Sequence, residues 1–158
     1  MSVTINTKIN GQSVSANAEA STSLLEFLRD TLEMKGSKLC CNTGECGACT
    51  IIYNGKPINS CVTMAADANG AEITTIEGLA TNGELHPVQQ AFHDPHALQC
   101  GYCTPGMVMA AVSLIQEGGA TSEAAIREGL EGNLCRCTGY HNIIAAVETA
   151  AGAMGRAS

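Results

Sequence analysis

The sequence CNTGECGAC, residues 41–49, contains three cysteines separated by four residues and then by two. Two glycines, Gly44 and Gly47, lie between them and favour a loop at this point. The chain has nine cysteines in 158 residues, and its first residues lack the basic start and apolar run of a secretory signal. In a reducing compartment such cysteines bind metal rather than form disulfides. We therefore expect this loop to hold a metal centre.

A fourth cysteine downstream completes the motif, which consists of Cys41, Cys46, Cys49 and Cys61. The spacing x4, x2 and a distant fourth matches the pattern with which plant-type ferredoxins bind a 2Fe-2S cluster. Four thiolates on two sulfide-bridged irons carry excess negative charge, so we expect backbone N–H groups to donate to the sulfurs, helped by Gly44 and Gly47. The alternative is zinc, although four-cysteine zinc sites usually use paired C-x2-C motifs.

A second group of cysteines lies in the segments QCGYC and LCRC. It comprises a C-x2-C pair and a C-x-C pair, formed by Cys100, Cys103, Cys135 and Cys137. This spacing alone suits zinc as well as it suits an iron-sulfur cluster. A chain that already carries one cluster gains a redox function from a second one within electron-tunnelling distance. The presence of the first motif in the same chain therefore favours a second 2Fe-2S site.

Cys40 is the ninth cysteine and directly precedes the first motif. Adjacent residues of an extended segment point in opposite directions, so Cys40 and Cys41 cannot readily bind the same iron. The x4 spacing selects Cys41 as the ligand. Cys40 is expected to be a small buried apolar residue, with a reactive free thiol as the alternative.

The residues around the first motif predict a small mixed α+β domain. Alternating apolar residues on both sides of the NG at residues 10–11 predict a β-hairpin. A helix is predicted over LLEFLRDTLEM, residues 24–34, with Ser23 and Glu26 as its capping box. After the cysteine loop, a second strand pair is expected to turn at the NG of residues 54–55, and AEITTI to form a last short strand.

The second half of the chain predicts four helices with short connections, and hence a bundle. They are expected near residues 87–93, 104–117, 121–132 and 140–154, the second with Thr104 as its cap and Pro105 at the first helical position. The C-x2-C pair then lies between the first two helices, and the C-x-C pair between the last two. Antiparallel hairpins can place both connections at one end, where four thiolates would converge.

These patterns divide the chain into a ferredoxin-like domain over residues 1–77, a linker over 78–84 and a helical domain over 85–158. The formal net charge of −7 disfavours nucleic acid as a partner and leaves the surface to a protein partner. No apolar stretch approaches the about 18 residues of a membrane span, so no direct membrane insertion is expected. Without a signal of its own, the chain is expected in the cytoplasm, or elsewhere only if partners carry it.

Four motifs in this order, CNTGECGACT, TTIEGL, QCGYCTPGM and GNLCRCTGY, resemble the iron-sulfur subunits of the xanthine oxidase family of molybdenum hydroxylases. That family includes the small subunits of bacterial aldehyde, N-heteroaromatic and carbon monoxide dehydrogenases. The resemblance covers about residues 3–150. It implies an α+β chain with an N-terminal plant-ferredoxin-like β-grasp domain and an all-α four-helix bundle domain. Cys40 stands where many relatives have glycine, which puts only the local packing of the loop in doubt.

The resemblance also implies what each site residue does. The cluster distal to molybdenum would be bound by Cys41, Cys46, Cys49 and Cys61. The proximal cluster would be bound by Cys100, Cys103, Cys135 and Cys137. Gln99 would contact the molybdopterin cofactor, and the sulfur of Cys137 would lie near the pterin amine. No catalytic residue is expected on this chain, because substrate oxidation would occur on a partner subunit.

The implied function is electron transfer in an oxidoreductase complex, from a molybdopterin site through two 2Fe-2S clusters to FAD or a cytochrome on a partner chain. The implied partners are a large molybdopterin subunit, together with either a medium FAD-binding subunit or a cytochrome c subunit. One alternative is an independent ferredoxin-type carrier, against which the helical second half argues. A structural zinc protein and a secreted disulfide-linked protein are the others; an odd number of cysteines and no signal oppose the latter. The substrate pocket lies outside this chain.

Overall fold

The N-terminal part of the chain begins with a β-hairpin. The structure is a computed structural model and describes residues 1–155. Strands β1 (Ser2–Ile9) and β2 (Gln12–Glu19) pair antiparallel across their whole length. Asn10 and Gly11 form the turn with φ of 51° and 81°, in the left-handed region that these two residue types adopt most easily. The predicted hairpin is confirmed.

Helix α1 (Leu24–Glu26) is short and continues as a wider π-helical turn, Phe27–Thr31. The predicted capping box is present: the Ser23 hydroxyl accepts the Glu26 N–H at 3.2 Å, and the Glu26 carboxylate accepts the Ser23 N–H at 2.9 Å. The predicted helix over residues 24–34 is too long. Glu33 adopts a left-handed conformation with φ of 57°, which cannot continue a right-handed helix.

Three further strands, β3 (Thr50–Tyr53), β4 (Lys56–Asn59) and β5 (Glu72–Thr74), complete a mixed sheet. Within residues 1–155 its strand order is β2-β1-β5-β3-β4, with β5 parallel to β1 and antiparallel to β3. The β3–β4 pair turns at residues 54–55, as predicted. Apolar side chains of α1 and of the sheet form one core, which includes Ile5, Ile9, Leu24, Phe27, Leu28, Ile51 and Ile73.

Four helices follow in the described part of the second half: α2 (Pro87–His93), α3 (Thr104–Gln116), α4 (Glu123–Gly129) and α5 (His141–Ala153). Their number and order are as predicted. Helix α3 begins one residue earlier than expected, so that Cys103 rather than Thr104 occupies the cap position. Helix α4 is shorter than expected, because the Ser122 hydroxyl accepts the Ala125 N–H and caps the helix there.

The helices have a hydrophobic core of their own, which includes Val88, Phe92, Met107, Ile126, Ile143 and Val147. Helix α3 also packs against β3 and β4, so the sheet and the helices are in direct contact. Ile76 and Leu79, at the predicted boundary between the two halves, pack against the helical core. The division into residues 1–77, 78–84 and 85–158 stays a prediction, and residues 156–158 lie outside the described part.

The combination of a mixed sheet and separate helices confirms the α+β class. None of the helices in residues 1–155 is both long enough and apolar enough to cross a bilayer. The loop that carries Cys41, Cys46 and Cys49 joins α1 to β3, Cys61 follows β4, and the two segments that carry the second group join α2 to α3 and α4 to α5. All candidate ligands therefore lie in connections, where the ends of regular elements hold them.

Candidate metal centres

Backbone N–H groups point at Cys41 in the first cysteine loop. The N–H groups of Thr43 and Cys46 both donate to Cys41 Sγ, each at a distance of 3.4 Å. Hydrogen bonds from Thr43, and then from Cys46, lower the pKa of the Cys41 thiol to about 5. Gly44 has a φ of 81°, in the left-handed region that glycine adopts without strain. This part of the loop stabilises a thiolate, as the sequence predicts for a metal-binding loop.

The β3–β4 hairpin brings Cys49 and Cys61 together. Cys49 directly precedes β3, and Cys61 lies in the short turn Ser60–Val62 that follows β4. The N–H and the hydroxyl of Ser60 both donate to the Cys49 carbonyl, at 3.4 and 2.8 Å, and close the open end of the hairpin. Both thiols are buried beside Leu25. Burial, and then the contact with Cys49, raises the pKa of Cys61 to about 11, so metal binding must displace its proton.

The two segments that carry the second cysteine group meet at one end of the helices, as predicted. The sulfur atoms of Cys100 and Cys137 are 3.5 Å apart, although the residues lie in different connections. Cys103 and Cys135, which also belong to different connections, are neighbours as well. Burial, and then the contact with Cys135, raises the pKa of Cys103 to about 12. Neither connection alone could supply these pairs.

Tyr140 and Thr138 organise the segment around Cys135. The Tyr140 hydroxyl accepts the Cys135 N–H at 2.7 Å and donates to the Asn133 carbonyl at 3.2 Å. The Thr138 hydroxyl donates to Cys135 Sγ at 3.2 Å and accepts the Tyr140 N–H at 3.1 Å. Sequence analysis missed both roles, although the TGY that follows the last cysteine pair is a visible signal for a capped turn.

The eight candidate thiols meet in pairs. The sulfur atoms of Cys100 and Cys137 are 3.5 Å apart, and the pKa values of Cys46, Cys61 and Cys103 are raised in part by the neighbouring thiols of Cys41, Cys49 and Cys135 respectively. A four-cysteine zinc site would bring all four sulfurs to about 2.3 Å from one ion. Among residues 1–155, no three His, Cys, Asp or Glu side chains gather closely enough to hold one metal ion. A 2Fe-2S cluster takes two thiolates on each of its irons, so paired thiols fit it better than they fit zinc.

The two cysteine groups differ in their exposure. Cys49 and Cys61 of the first group are buried, whereas Cys100 and Cys137 of the second group are exposed. Gln99, next to Cys100, is also exposed. The second group therefore presents one thiol pair to the surface of the chain. The contacts of Gln99 and Cys137 with a pterin stay predictions, as does the assignment of the eight ligands.

Cys40 is exposed, so its interpretation as a buried apolar residue is wrong. With Cys46 and the second cysteine group, it lines a cavity of about 490 Å³. The reason lies in the neighbouring residue: the Leu39 carbonyl accepts a hydrogen bond from the hydroxyl of Tyr102, between the two cysteines of the C-x2-C pair. This bond holds the chain at the rim of the cavity. The alternative of a reactive free thiol stays untested.

The first cysteine loop contacts the segment 132–134 that leads into the second group. The Leu134 N–H donates to the Cys46 carbonyl at 2.9 Å, and the Asn133 side-chain amide donates to the Gly47 carbonyl at 2.9 Å. A Cβ on Gly47 would lie 2.4 Å from the Gly132 oxygen, so this glycine allows the two segments to approach. Sequence analysis missed Asn133, because its partner is 86 residues away.

Two family models match this chain, one on each half. A 2Fe-2S iron-sulfur cluster binding domain matches residues 7–75. A 2Fe-2S binding domain matches residues 75–148. Each model covers one of the two cysteine groups described above.

Curated relatives match almost the whole chain. It is 45% identical over 148 residues to caffeine dehydrogenase subunit gamma of Pseudomonas sp. (strain CBB1), covering 92% of this chain and 89% of that protein. It is 42% identical over 153 residues to the nicotine 6-hydroxylase small subunit of Paenarthrobacter nicotinovorans, covering 97% of this chain and 92% of that protein.

Solved structures show the same fold. Quinoline 2-oxidoreductase of Pseudomonas putida 86 superimposes with a TM-score of 0.94 at 41% identity, over 98% of each chain. Aldehyde oxidoreductase of Desulfovibrio gigas superimposes with a TM-score of 0.90 at 36% identity, over 96% of this chain but 17% of the other. In the second case the matching region is a small part of a much longer polypeptide.

Proposed function

Because this chain belongs to the iron-sulfur subunits of the xanthine oxidase family of molybdenum hydroxylases, we propose that it connects a molybdopterin subunit to an electron acceptor. Its role as the electron-transfer subunit of a multi-subunit oxidoreductase follows from the relatives. Bound 2Fe-2S clusters supply one-electron redox chemistry, and the protein tunes it through hydrogen bonds and burial. The gathering of the eight thiols into two groups, each within a matching 2Fe-2S domain, is the observation that carries the proposal.

The proposed ligands follow the two cysteine groups. The distal cluster is held by Cys41, Cys46, Cys49 and Cys61, in a β-grasp domain of plant-ferredoxin type. The proximal cluster is held by Cys100, Cys103, Cys135 and Cys137, in a four-helix domain. The N–H groups at Cys41 and the hydroxyl of Thr138 support this assignment, because both donate to sulfur atoms that carry negative charge when metal is bound.

The molybdopterin subunit is proposed to dock at the end of the helices where Gln99 and Cys137 are exposed. Apolar side chains near this end support a protein partner: Leu39, Leu98 and Tyr102 are between 37% and 46% exposed. Single apolar residues on a surface are common, but here Tyr102 bonds to Leu39 and lines the cavity with the cysteines. The acceptor, an FAD subunit or a cytochrome, is proposed on the side of the distal cluster, and the complex is proposed to be cytoplasmic.

Metal analysis of the purified chain tests the ligand proposal. We expect two irons and two acid-labile sulfides for each of the two clusters, and no stoichiometric zinc. Paramagnetic resonance of the reduced protein should resolve two signals, because the two thiol groups differ in burial and hydrogen bonding. Stoichiometric zinc, or a single signal that integrates to one spin per chain, would refute the proposal.

Affinity purification from the native source tests the partners. This chain should copurify with equal amounts of one molybdopterin-binding subunit plus one flavin-binding or haem-binding subunit. Recovery of the chain alone, with both clusters and full reactivity toward small redox proteins, would instead indicate an independent ferredoxin-type carrier.

A further inference from the structure

We propose that Asn133 positions the first cysteine loop for electron transfer between the two cysteine groups, through the hydrogen bond from the Leu134 N–H to the Cys46 carbonyl. The inference rests on the proposed function, since it requires a cluster on each group. It assigns a role to a buried side chain that binds no metal. The residues involved lie in the segment 132–134 and in the loop around Cys46.

A nearly continuous bonded route joins the two groups at this point. From Cys46 Sγ it follows Cβ, Cα and the carbonyl of the same residue to the oxygen that accepts the Leu134 N–H at 2.9 Å. From Leu134 the backbone leads directly to Cys135 and its Sγ. Electronic coupling decays less along covalent bonds and short hydrogen bonds than across gaps. The length of this hydrogen bond is therefore the variable part of the route.

Asn133 controls that length from the neighbouring position. Asn133 is buried, with 7% of the residue exposed, and its side-chain amide donates to the Gly47 carbonyl at 2.9 Å and towards Thr50 Oγ1 at 3.3 Å. Gly47 follows Cys46, and Asn133 precedes Leu134. The Asn133–Gly47 and Leu134–Cys46 hydrogen bonds therefore join adjacent residues of the loop to adjacent residues of the segment 132–134. Without the Asn133 amide, the hydrogen bond from the Leu134 N–H to the Cys46 carbonyl would be the one remaining hydrogen bond between these two segments in the described residues.

The other side of Asn133 is tied to the second cysteine group. Its carbonyl accepts the Tyr140 hydroxyl at 3.2 Å, and that hydroxyl accepts the Cys135 N–H at 2.7 Å. Asn133 therefore contacts the first loop through its side chain and the surroundings of Cys135 through its backbone. A displacement of one group relative to the other must stretch one of these bonds.

The competing route crosses the cavity that Cys46 shares with Cys103 and Cys135. It includes a non-bonded step between these side chains, so its coupling is weaker for the same separation. With a cluster bound by each group, the step would move one electron from the centre that Cys135 would help to hold to the centre that Cys46 would help to hold, and no bond would form or break. Only the rate of this step depends on the route.

The test compares Asn133→Ala and Asn133→Asp with Asn142→Ala in the assembled complex. Asn133→Asp keeps the side-chain volume but replaces the amide donor with a carboxylate that faces the Gly47 carbonyl. Asn142 is an exposed asparagine on α5 and serves as the matched control. Rapid-freeze paramagnetic resonance after mixing with substrate follows both cluster signals in time, and redox titration gives both potentials.

We expect both Asn133 variants to retain iron and both potentials, and to transfer electrons between the clusters several-fold more slowly than Asn142→Ala. The magnetic interaction between the two reduced clusters should also weaken. If the Asn133 side chain were merely structural, its replacement would change the stability of the protein but not the rate of electron transfer between clusters of unchanged potential. Full iron content with a native rate in Asn133→Asp would overturn the inference, whereas a wild-type chain that lacks one cluster signal would overturn the proposed function.

A second pair of variants addresses the Leu134 N–H directly. Leu134→Pro removes the backbone N–H donor, whereas Leu134→Ala shortens the side chain and keeps that N–H. We expect a several-fold slower rate in the proline variant than in the alanine variant, with the iron content of both unchanged. Equal rates in the two would show that electrons cross the cavity instead. If the proline variant loses iron, Asn133→Asp decides the question.

Discussion

Cys40 and Cys41 are neighbours in the sequence and lie in different surroundings in the structure. Cys41 accepts two backbone N–H groups, and these bonds lower its pKa to about 5. Cys40 is exposed at the rim of the cavity shared with Cys46. The hydrogen bonds therefore favour the thiolate form of Cys41, which is the form that binds a metal. The difference arises from the turn at residues 42–44, which directs N–H groups toward one sulfur.

Substitution of these two cysteines separates ligand from bystander. Cys40→Ala should retain both clusters, because it removes an exposed thiol. Cys41→Ala should lose the cluster of the first loop, because one iron would lack a protein ligand. Iron analysis and paramagnetic resonance measure both outcomes. Because Cys40 is close enough to substitute for Cys41, the double variant Cys40→Ala/Cys41→Ala is the control; iron loss in Cys40→Ala with retention in Cys41→Ala would reverse the assignment.

The eight candidate ligands could be predicted from spacing, but several supporting residues could not. Ligand spacing is local, since a loop must present sulfurs at fixed intervals, and the sequence displays those intervals directly. Asn133 acts on a partner 86 residues away, and no local pattern encodes such a contact. Tyr140 and Thr138 are intermediate cases, because their partners lie within a few residues. The burial of Cys40 was wrongly predicted because it depends on Tyr102 in the other half.

At the scale of single elements, α1 depends on its cap. It is too short to be stable from its own backbone bonds, and the Ser23 and Glu26 pair satisfies N–H groups at its start. Hydrogen bonds from the backbone and then the side chain of Ser23 lower the pKa of Glu26 below its usual 4.5. A carboxyl with a lowered pKa contributes stability above its unfolded pKa and loses it as pH falls through the folded one.

Removal of this cap should speed unfolding of the first half. Ser23→Ala is expected to cost about 1 kcal/mol, which raises the unfolding rate up to about fivefold. The rate in concentrated urea, followed by loss of visible absorption, measures this effect. Since Glu26 stays ionised well above its lowered pKa, the cost should be constant between about pH 6 and pH 8. Ser21→Ala, at an exposed position before the cap, should leave the unfolding rate unchanged. An equal increase in this variant would show that the effect of Ser23→Ala does not come from the loss of the cap.

Helix α3 touches the first cysteine loop at a glycine. A Cβ on Gly106 would lie 2.1 Å from the Gly47 oxygen and 3.0 Å from the Ala48 backbone. These are backbone atoms, which cannot move aside as a flexible side chain can. The element that begins at Cys103 and the loop that contains Cys46 are therefore packed without spare space.

Addition of one methyl group should force this contact apart. Gly106→Ala is expected to destabilise the protein by about 1–3 kcal/mol through overpacking, and to weaken the magnetic interaction between the clusters. Gly152→Ala on α5 is the matched control, because a Cβ there meets nothing within 4 Å. It should stabilise the helix by about 0.5–1 kcal/mol. Urea unfolding and paramagnetic resonance compare them; equal stability of the two variants would show that α3 can shift freely.

Elements with local signals were predicted well, and their ends less well. Both hairpins turn at NG pairs, whose left-handed preference specifies the turn regardless of the rest of the fold. The end of α1 depends on Glu33, a residue type with no strong preference for the left-handed region. Its conformation is imposed by the surrounding structure. The start of α4 differs from the predicted start for a similar reason. Thr121 and Ser122 are both acceptable N-cap residues, and the sequence alone does not show which of them caps the helix.

At the scale of the whole molecule, the two cysteine groups are arranged in series. The second group presents Cys137 to the surface, and the first group contacts the segment that leads into the second group through the hydrogen bond between Leu134 and Cys46. Under the proposed function, electrons would enter at the exposed pair and reach the first loop through this contact. The order of the two groups along the relay follows from this arrangement and from the proposed docking of the molybdopterin subunit.

Removal of the first group's cluster should interrupt the relay at a defined point. Cys46→Ala should lose about half of the iron, because one of the two clusters lacks a ligand. In the assembled complex, substrate should still reduce the second group, whereas reduction of the physiological acceptor should fall to a small fraction of the native rate. Rapid-mixing spectroscopy measures both steps, with Cys40→Ala as the matched cysteine control. Native acceptor reduction in an assembled variant without that cluster would show another exit.

The long-range contact between the loop around Gly47 and Asn133 also bears on the biogenesis of the protein. A chain that emerges from the ribosome presents its N-terminal half first, and Asn133 is synthesised 86 residues after Gly47. The first cysteine loop can therefore form its contacts with the segment 132–134 only after almost the whole chain has been synthesised.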